Sequence, residues 1–204
     1  MATVRAFIAV ELPDEARRKL DEIEKHLQRL AGDSARRAVR WVPAANIHLT
    51  LKFLGEIPKA KIPSLVDMLE VETARSAAFD FIIEGTGAFP NARRPRVIWA
   101  GASAPSELLS LQQGIESAAR RLGYPAEDRP FSPHLTLGRM AQRAQPEEIE
   151  QVTHALETAR IGQIAAVRIN QVHLFSSDLR PSGPIYTRLH SFPLPDKPHE
   201  AAQG

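Results

Sequence analysis

His48-Leu49-Thr50-Leu51 and His134-Leu135-Thr136-Leu137 are one tetrapeptide written twice in a chain of 204 residues. On a β-strand, residues i and i+2 share a face. His48 and Thr50 then look one way while Leu49 and Leu51 look into a core, and His134 and Thr136 stand likewise over Leu135 and Leu137. Two such strands side by side would line a cleft with two imidazoles and two hydroxyls. That is equipment for acid–base chemistry on an anion.

Outward from the two copies, the chain repeats an order of elements. Residues 4–12, rich in Phe7, Ile8 and Val10, predict a buried strand. Pro13 and Asp14 open a helix striped with Leu20, Ile23, Leu27 and Leu30, with Gly32 as its stop and a basic loop after it. The first tetrapeptide strand covers about 47–54, and a helix with Ile62, Leu65, Val66 and Leu69 on one face follows. Strands are expected over 79–87 and 96–100, then a helix over 105–122 with Leu108, Leu111, Ile115 and Leu122 inward. The proline-rich stretch 124–133 must be a loop, and the second tetrapeptide strand comes straight after it. Pro146 opens a helix carrying Ile149, Val152 and Leu156; strands over 165–175 and 185–189 complete the second half. From tetrapeptide to next strand the spacing is 31 residues in both halves, His48 to Phe79 and His134 to Ala165. Short connections and hairpin-like pairs argue an α+β fold with antiparallel sheets. One domain is expected over 1–193, with a Pro-rich, polar, disordered tail over 194–204.

Composition sets outer bounds. With 43% hydrophobic and 25% charged residues, the chain is an ordinary globular protein, of a length that suits one two-lobed domain. It has no cysteine, which excludes disulfides, thiolate catalysis and Cys-built zinc sites and fits a reducing cytoplasm. No apolar run approaches the roughly 18 residues of a membrane span. The run over 4–12 is too short for a secretory core and contains Glu11. A soluble, cytoplasmic protein without a membrane partner is expected. Net charge is only +2, but arginines cluster at 36, 37 and 40, at 93, 94 and 96, and at 120 and 121. Such clusters are solvated faces or a rim that attracts phosphates. Gly85-Thr86-Gly87 lacks the third glycine and the following helix of a nucleotide fingerprint.

Three readings of the tetrapeptides compete. A single His-x-Thr on a strand is usually structural, but two identical copies at equivalent places in a repeat are hard to ascribe to chance. A zinc ion shared by two imidazoles is a second reading. A catalytic zinc takes three protein ligands, however, and no carboxylate stands at ligand spacing. His26, His154, His173, His190 and His199 show no pairing signature either. The third reading is paired acid–base catalysis. An imidazole with pKa near 6.5 is neutral or protonated near pH 7 as its surroundings dictate. One histidine takes a proton from a nucleophile and the other gives one to a leaving oxygen, each role worth roughly 10²–10⁴ in rate. The threonine hydroxyls donate to non-bridging phosphoryl oxygens. This scheme calls for no metal and no cofactor.

These residues resemble the 2H phosphoesterase superfamily, which is defined by two His-x-Thr/Ser-x motifs in a two-lobed fold. Within it the chain is similar to the bacterial and archaeal RNA 2′,3′-cyclic phosphodiesterases, also called 2′–5′ RNA ligases. The resemblance runs from about Arg5 to Leu194. It includes Arg5-Ala6-Phe7-Ile8-Ala9-Val10, Trp41-Val42-Pro43, His48-Leu49-Thr50-Leu51-Lys52-Phe53-Leu54-Gly55, Gly87-Ala88-Phe89-Pro90, Pro133-His134-Leu135-Thr136-Leu137-Gly138-Arg139 and Ser182-Gly183-Pro184-Ile185-Tyr186. It implies a bilobal, pseudo-two-fold α+β fold in which two antiparallel sheets face a central cleft with helices outside. It implies hydrolysis of an RNA terminal 2′,3′-cyclic phosphate to a 2′-phosphate; the partners expected are RNA ends of that kind, tRNA fragments among them, met by a monomer. It implies His48 as proton donor, His134 as proton acceptor, and Thr50, Thr136 and Arg139 as phosphate ligands. The odd offset of Arg139 from His134 would point it to the wrong face unless the strand is reoriented. Phe53, Phe89, Phe131 and Tyr186 are candidates to stack on a terminal base, although packing the sheets is the commoner use of such residues. The same histidines would serve ligation, with a 5′-hydroxyl in place of water. A phosphodiesterase of small cyclic phosphates and a non-catalytic RNA-end-binding module are the alternatives.

Overall fold

The computed structural model of the chain describes residues 2–181 and 183–196. Along them run β1 (Thr3–Glu11), α1 (Asp14–Ala38), β2 (Val39–Trp41), β3 (His48–Pro58), α2 (Ile62–Ala74), β4 (Phe79–Phe89), β5 (Val97–Ala102), α3 (Ser106–Arg121), β6 (His134–Met140), α4 (Pro146–Thr158), β7 (Gln163–Ile169), β8 (Gln171–Arg180) and β9 (Gly183–Pro193). The strands pair antiparallel in the order β7-β4-β5-β6-β3-β1-β8-β9, with β2 on the side of β6. At the β3–β6 seam the recorded pairing is the single step Leu49 with Leu135. The strands therefore fall into two lobes, β3-β1-β8-β9 and β6-β5-β4-β7, as the duplicated tetrapeptide leads one to expect.

Each lobe is completed from the other half of the chain. β4 leaves the first half to join the second lobe, while β8 and β9 return from the far end to the first. The helices cross over too: α1 packs on α4 and β7, and α3 packs on α2 and β3. Leu49, Leu51, Leu135 and Leu137 are all buried between sheet and helices. A buried leucine is worth about 1.5–3 kcal/mol, so these four anchor both motif strands from behind. β1 is buried on both faces: Ala6, Ile8 and Val10 join this main core, while Phe7 and Ala9 join a second, aromatic cluster with Phe175.

The structure departs from expectation in three places. Gly32 does not stop α1. It takes φ 77° and ψ 172°, a kink natural to glycine, and the helix resumes through Arg36 and Arg37 to Ala38. Much of the expected basic loop is therefore helix, and Leu30, beside the buried stripe of Leu20, Leu27 and Ala31, is 40% exposed. The strand expected over 165–175 is two strands in different lobes, β7 and β8, broken at Asn170. Both are so well buried that their apolar residues read as one run. Three residues assigned to the tail are tied to the fold: Leu194 is 4% exposed and donates its N–H to Asn170 O at 2.8 Å. Ala78 donates to Pro195 O at 2.8 Å, and Asp196 pairs with Arg168 at 2.9 Å. The rest of the expected tail, 197–204, lies outside the described residues. Among the described residues no helix is long and apolar enough to cross a membrane.

Candidate active site

The seam brings the two tetrapeptides together. One step to either side of the Leu49–Leu135 pair, the antiparallel register sets His48 toward Thr136 and Thr50 toward His134, on the face away from the buried leucines. Each imidazole thus has the other motif's hydroxyl as its cross-strand neighbour. The ring orientations repeat as well: His48 Nδ1 lies 2.8 Å from Asn46 O, and His134 Nδ1 lies 2.8 Å from Ser132 O. A carbonyl only accepts, so Nδ1 carries the proton in both rings, and Nε2 is the nitrogen free to exchange one.

Arg139 reaches the cleft side through a β-bulge. Trp99 pairs with Thr136 and Ile98 with Gly138, leaving Leu137 as the extra residue. Leu137 and Gly138 both turn to the core, and Arg139 comes back to the face of His134 and Thr136. β3 has the same device. Ala9 pairs with Thr50 and Ile8 with Lys52, Leu51 is extra, and Phe53 takes the place equivalent to Arg139. The bulged carbonyls are both bound: Leu137 O accepts from Val42 N at 2.8 Å, and Leu51 O from Gln112 Nε2 of α3 at 3.4 Å. The next positions differ sharply. A Cβ on Gly138 would come within 2.7 Å of Val39 Cγ1. Lys52, its counterpart, is buried and donates to Glu116 Oε2 at 2.8 Å and Pro125 O at 3.0 Å.

Around the histidines the symmetry fails. His48 stacks on Phe7 with centroids 4.8 Å apart, meets Tyr186 edge-on at 5.2 Å, and has Phe175 beyond Phe7. Burial in this aromatic cage pushes the His48 imidazole below its ordinary value, against the pull of the Asn46 carbonyl and of Glu11. Glu11 stands across the ladder from His48 and binds Arg188, with Arg17 and His173 beside it. Across from His134 stands Gly101. His134 meets Phe89 edge-on at 5.0 Å, and Phe89 leans on Trp99 at 5.4 Å. Of the four expected aromatics, Phe89 and Tyr186 touch the histidines, and Phe53, 56% exposed, lies 6.3 Å from Phe7. Phe131, in the loop before β6, packs partly buried against the main core.

The sequence does not place Phe7, Phe175, Trp99 and Glu11 around the two histidines. Phe7 hides in the unbroken apolar run of a strand buried on both faces. For Trp99 there was a signal in Gly87, a glycine inside a strand: a Cβ there would fall 2.5 Å from the Trp99 ring. Among the described residues no three His, Asp or Glu side chains converge to hold a metal ion.

Known proteins share this architecture. The LigT like Phosphoesterase family matches residues 10–99 and 101–186. The RNA 2′,3′-cyclic phosphodiesterase of Methanothermobacter thermautotrophicus is 32% identical over 191 residues, 94% of this chain and 99% of its own. That of Thermus thermophilus is 35% identical over 210 residues, 98% and 96% of the two chains. The crystal structure of E. coli LigT complexed with 3′-AMP matches with a TM-score of 0.73 at 29% identity, covering 95% of this chain and 99% of that one. The match spans both lobes and both tetrapeptides, and the chain belongs to the LigT-like phosphoesterase family.

Proposed function

We propose that the protein hydrolyses the terminal 2′,3′-cyclic phosphate of RNA to a 2′-phosphate, by paired-histidine catalysis that needs no metal. The observation that carries this is the pair of Nε2 atoms on one face of the seam, each with its Nδ1 tied to a carbonyl and a threonine from the other motif across from it. His134 Nε2 takes a proton from water as the water oxygen attacks phosphorus. His48 Nε2 gives its proton to O3′ as the P–O3′ bond breaks. Thr50 and Thr136 donate to the non-bridging oxygens, where charge grows in the transition state. Arg139, on the same face, offers a guanidinium fork to the phosphate. In the free protein, burial favours neutral His48. A bound phosphodiester anion restores its proton and so arms the donor only when substrate is present.

Phe53, 56% exposed, and Tyr186, edge-on to His48, are the better placed of the candidates to stack on the terminal base. A 5′-hydroxyl in place of water would make the same site a 2′–5′ ligase. A cytoplasmic monomer acting on RNA ends such as tRNA fragments goes with this reading, and the names of the relatives support the substrate class. The test is to incubate EDTA-treated protein with an oligoribonucleotide ending in a 2′,3′-cyclic phosphate and to separate the products. A 2′-phosphate is expected, and His48→Ala and His134→Ala should each lose about 10²–10⁴ in rate. A 3′-phosphate would overturn the leaving-group assignment, and full activity in either variant would overturn the mechanism.

A further inference from the structure

We propose that Arg40 completes, beside Arg139, a second phosphate subsite that takes the phosphodiester on the 5′ side of the terminal nucleotide. The site would thereby prefer RNA ends to cyclic mononucleotides. The inference rests on the cyclic phosphodiesterase reading above.

β2 is a three-residue strand laid against the far end of β6, where Arg40 pairs in register with Arg139. Residues directly opposite in an antiparallel pair share a face, with Cβ atoms about 4.5–5.5 Å apart. The bulge at Leu137 turns Arg139 to the cleft, and Arg40 goes with it. That this face looks across to the other lobe is evident at Tyr186. Burial raises the pKa of its hydroxyl, and the charges of Arg139 and Arg5 pull it back.

Arg40 and Arg139 are both exposed, and among the described residues neither enters an ion pair or a side-chain hydrogen bond. The other neighbour of Arg139 in the ladder is Val97, so no carboxylate competes from that strand. Like charges directly opposite on a sheet repel and destabilise it. An anion lying between them reverses the sign, and guanidinium forks fit phosphate oxygens on two sides. One arginine suffices for the single phosphate of a cyclic mononucleotide. The second is surplus until the substrate brings a second phosphate, which a chain end does and a mononucleotide does not.

Steady-state kinetics on 2′,3′-cyclic AMP and on a diribonucleotide ending in a 2′,3′-cyclic phosphate test this with wild-type protein, Arg40→Gln and Arg40→Lys. Arg40→Gln should raise KM on the dinucleotide about tenfold, the usual scale of one charge-assisted contact, and change kcat/KM on cyclic AMP less than about twofold. The log–log salt dependence on the dinucleotide should become shallower by about 0.7, one phosphate contact on a single strand. Arg40→Lys should recover the salt slope and part of the KM. Equal losses on both substrates, or no change on either, would overturn the subsite and leave the phosphodiesterase reading standing. Wild-type protein inert on both would overturn that reading, and the subsite with it.

Discussion

Glu116→Leu and Lys52→Met each remove one partner of the same buried ion pair, and the structure predicts unequal costs. The Lys52 side chain is 1% exposed and that of Glu116 is 22% exposed. In Glu116→Leu the ammonium stays buried with only the Pro125 carbonyl to receive it. Orphaning a buried charge in this way costs about 3–5 kcal/mol. In Lys52→Met the apolar stem is kept and no buried charge remains. The carboxylate left behind reaches water and still accepts from Glu127 N at 3.2 Å. Two charge-assisted bonds are lost, but the cost of desolvating the ammonium goes with them, so the net penalty is about 1–2 kcal/mol. Lys52→Met/Glu116→Leu together should return to within about 1 kcal/mol of wild type, since an apolar pair can replace a buried ionic one. Urea unfolding with matched m-values measures all four corners, and at this chain length each kcal/mol should move Tm by about 2–4 °C. A Lys52→Met penalty equal to or above that of Glu116→Leu would refute the reasoning, as would additive losses in the double variant.

Glu24 sits 8% exposed in the inner face of α1, where burial first, and Asp21 second, push its carboxyl up to about 7 from 4.5. The folded state holds the proton longer than the unfolded one, so the stability present at pH 4.5 drains as pH rises to 7, to a loss of about 3 kcal/mol. Glu24→Gln should therefore stabilise by about that amount at pH 8.5 and by nothing at pH 4.5; equal effects at both pH values would dismiss burial as the cause. The His48 imidazole should titrate below 6.5 in NMR spectra of the free protein and move upward when inorganic phosphate is added. A ligand-free value at or above 6.5 would dismiss the aromatic cage as the dominant influence. His48 and His173 are both depressed by burial, so their joint contribution to stability is complete above pH 6.5 and falls as acid protonates the unfolded chain first. Thermal melts of Glu24→Gln between pH 7 and 5 should show that fall free of the opposing Glu24 effect, and a rise in Tm over that range would contradict it. Gly138→Ala forces a Cβ against Val39 and Trp41 at the bulge that carries Arg139. It should cost about 1–3 kcal/mol in a urea melt and raise KM for the cyclic phosphate; a variant with unchanged stability and KM would argue that the bulge has room to spare.

The two-lobed antiparallel fold was legible because the tetrapeptide repeats and leucines alternate with polar residues on both motif strands. Period-2 patterning survives wherever one face of a strand is buried and the other is not. It failed where both faces are covered: Phe7 and Phe175 lie in runs that show no alternation, so their place beside His48 could not be read. It failed at Leu51 and Leu137 for a different reason. A bulge changes the count by one, and nothing in His-Leu-Thr-Leu announces it. That single residue explains why Arg139, at an odd offset, shares a face with His134, and why Lys52 goes inward while Phe53 goes out. Arg40 was visible only as a member of a basic cluster. Its partner across the ladder depends on a register set by β2, too short a strand to have a pattern of its own.

Two identical motifs provide two imidazoles, yet on the proposed reading hydrolysis needs one to give a proton and the other to take one. The difference has to come from their neighbours. At the position five residues past each histidine, the second lobe places Arg139 and the first places Phe53. A nucleotide end has the same two poles, an anionic phosphate and a flat base. On the proposed reading, the phosphate's charged oxygens lie toward Arg139 and the base toward Phe53. That choice of direction decides which Nε2 faces the leaving O3′. On that reading donor and acceptor are assigned by the orientation of the bound nucleotide, and the lowered pKa of free His48 does not oppose the donor role proposed for it, because a bound anion favours the protonated imidazole. Exchanging the poles by Phe53→Arg with Arg139→Phe should therefore lower kcat by about 10²-fold or more, the scale of one misplaced proton transfer, since the nucleotide would be held in the direction that presents O3′ to the wrong imidazole. Undiminished kcat on a cyclic-phosphate oligonucleotide would mean that orientation is set elsewhere in the cleft.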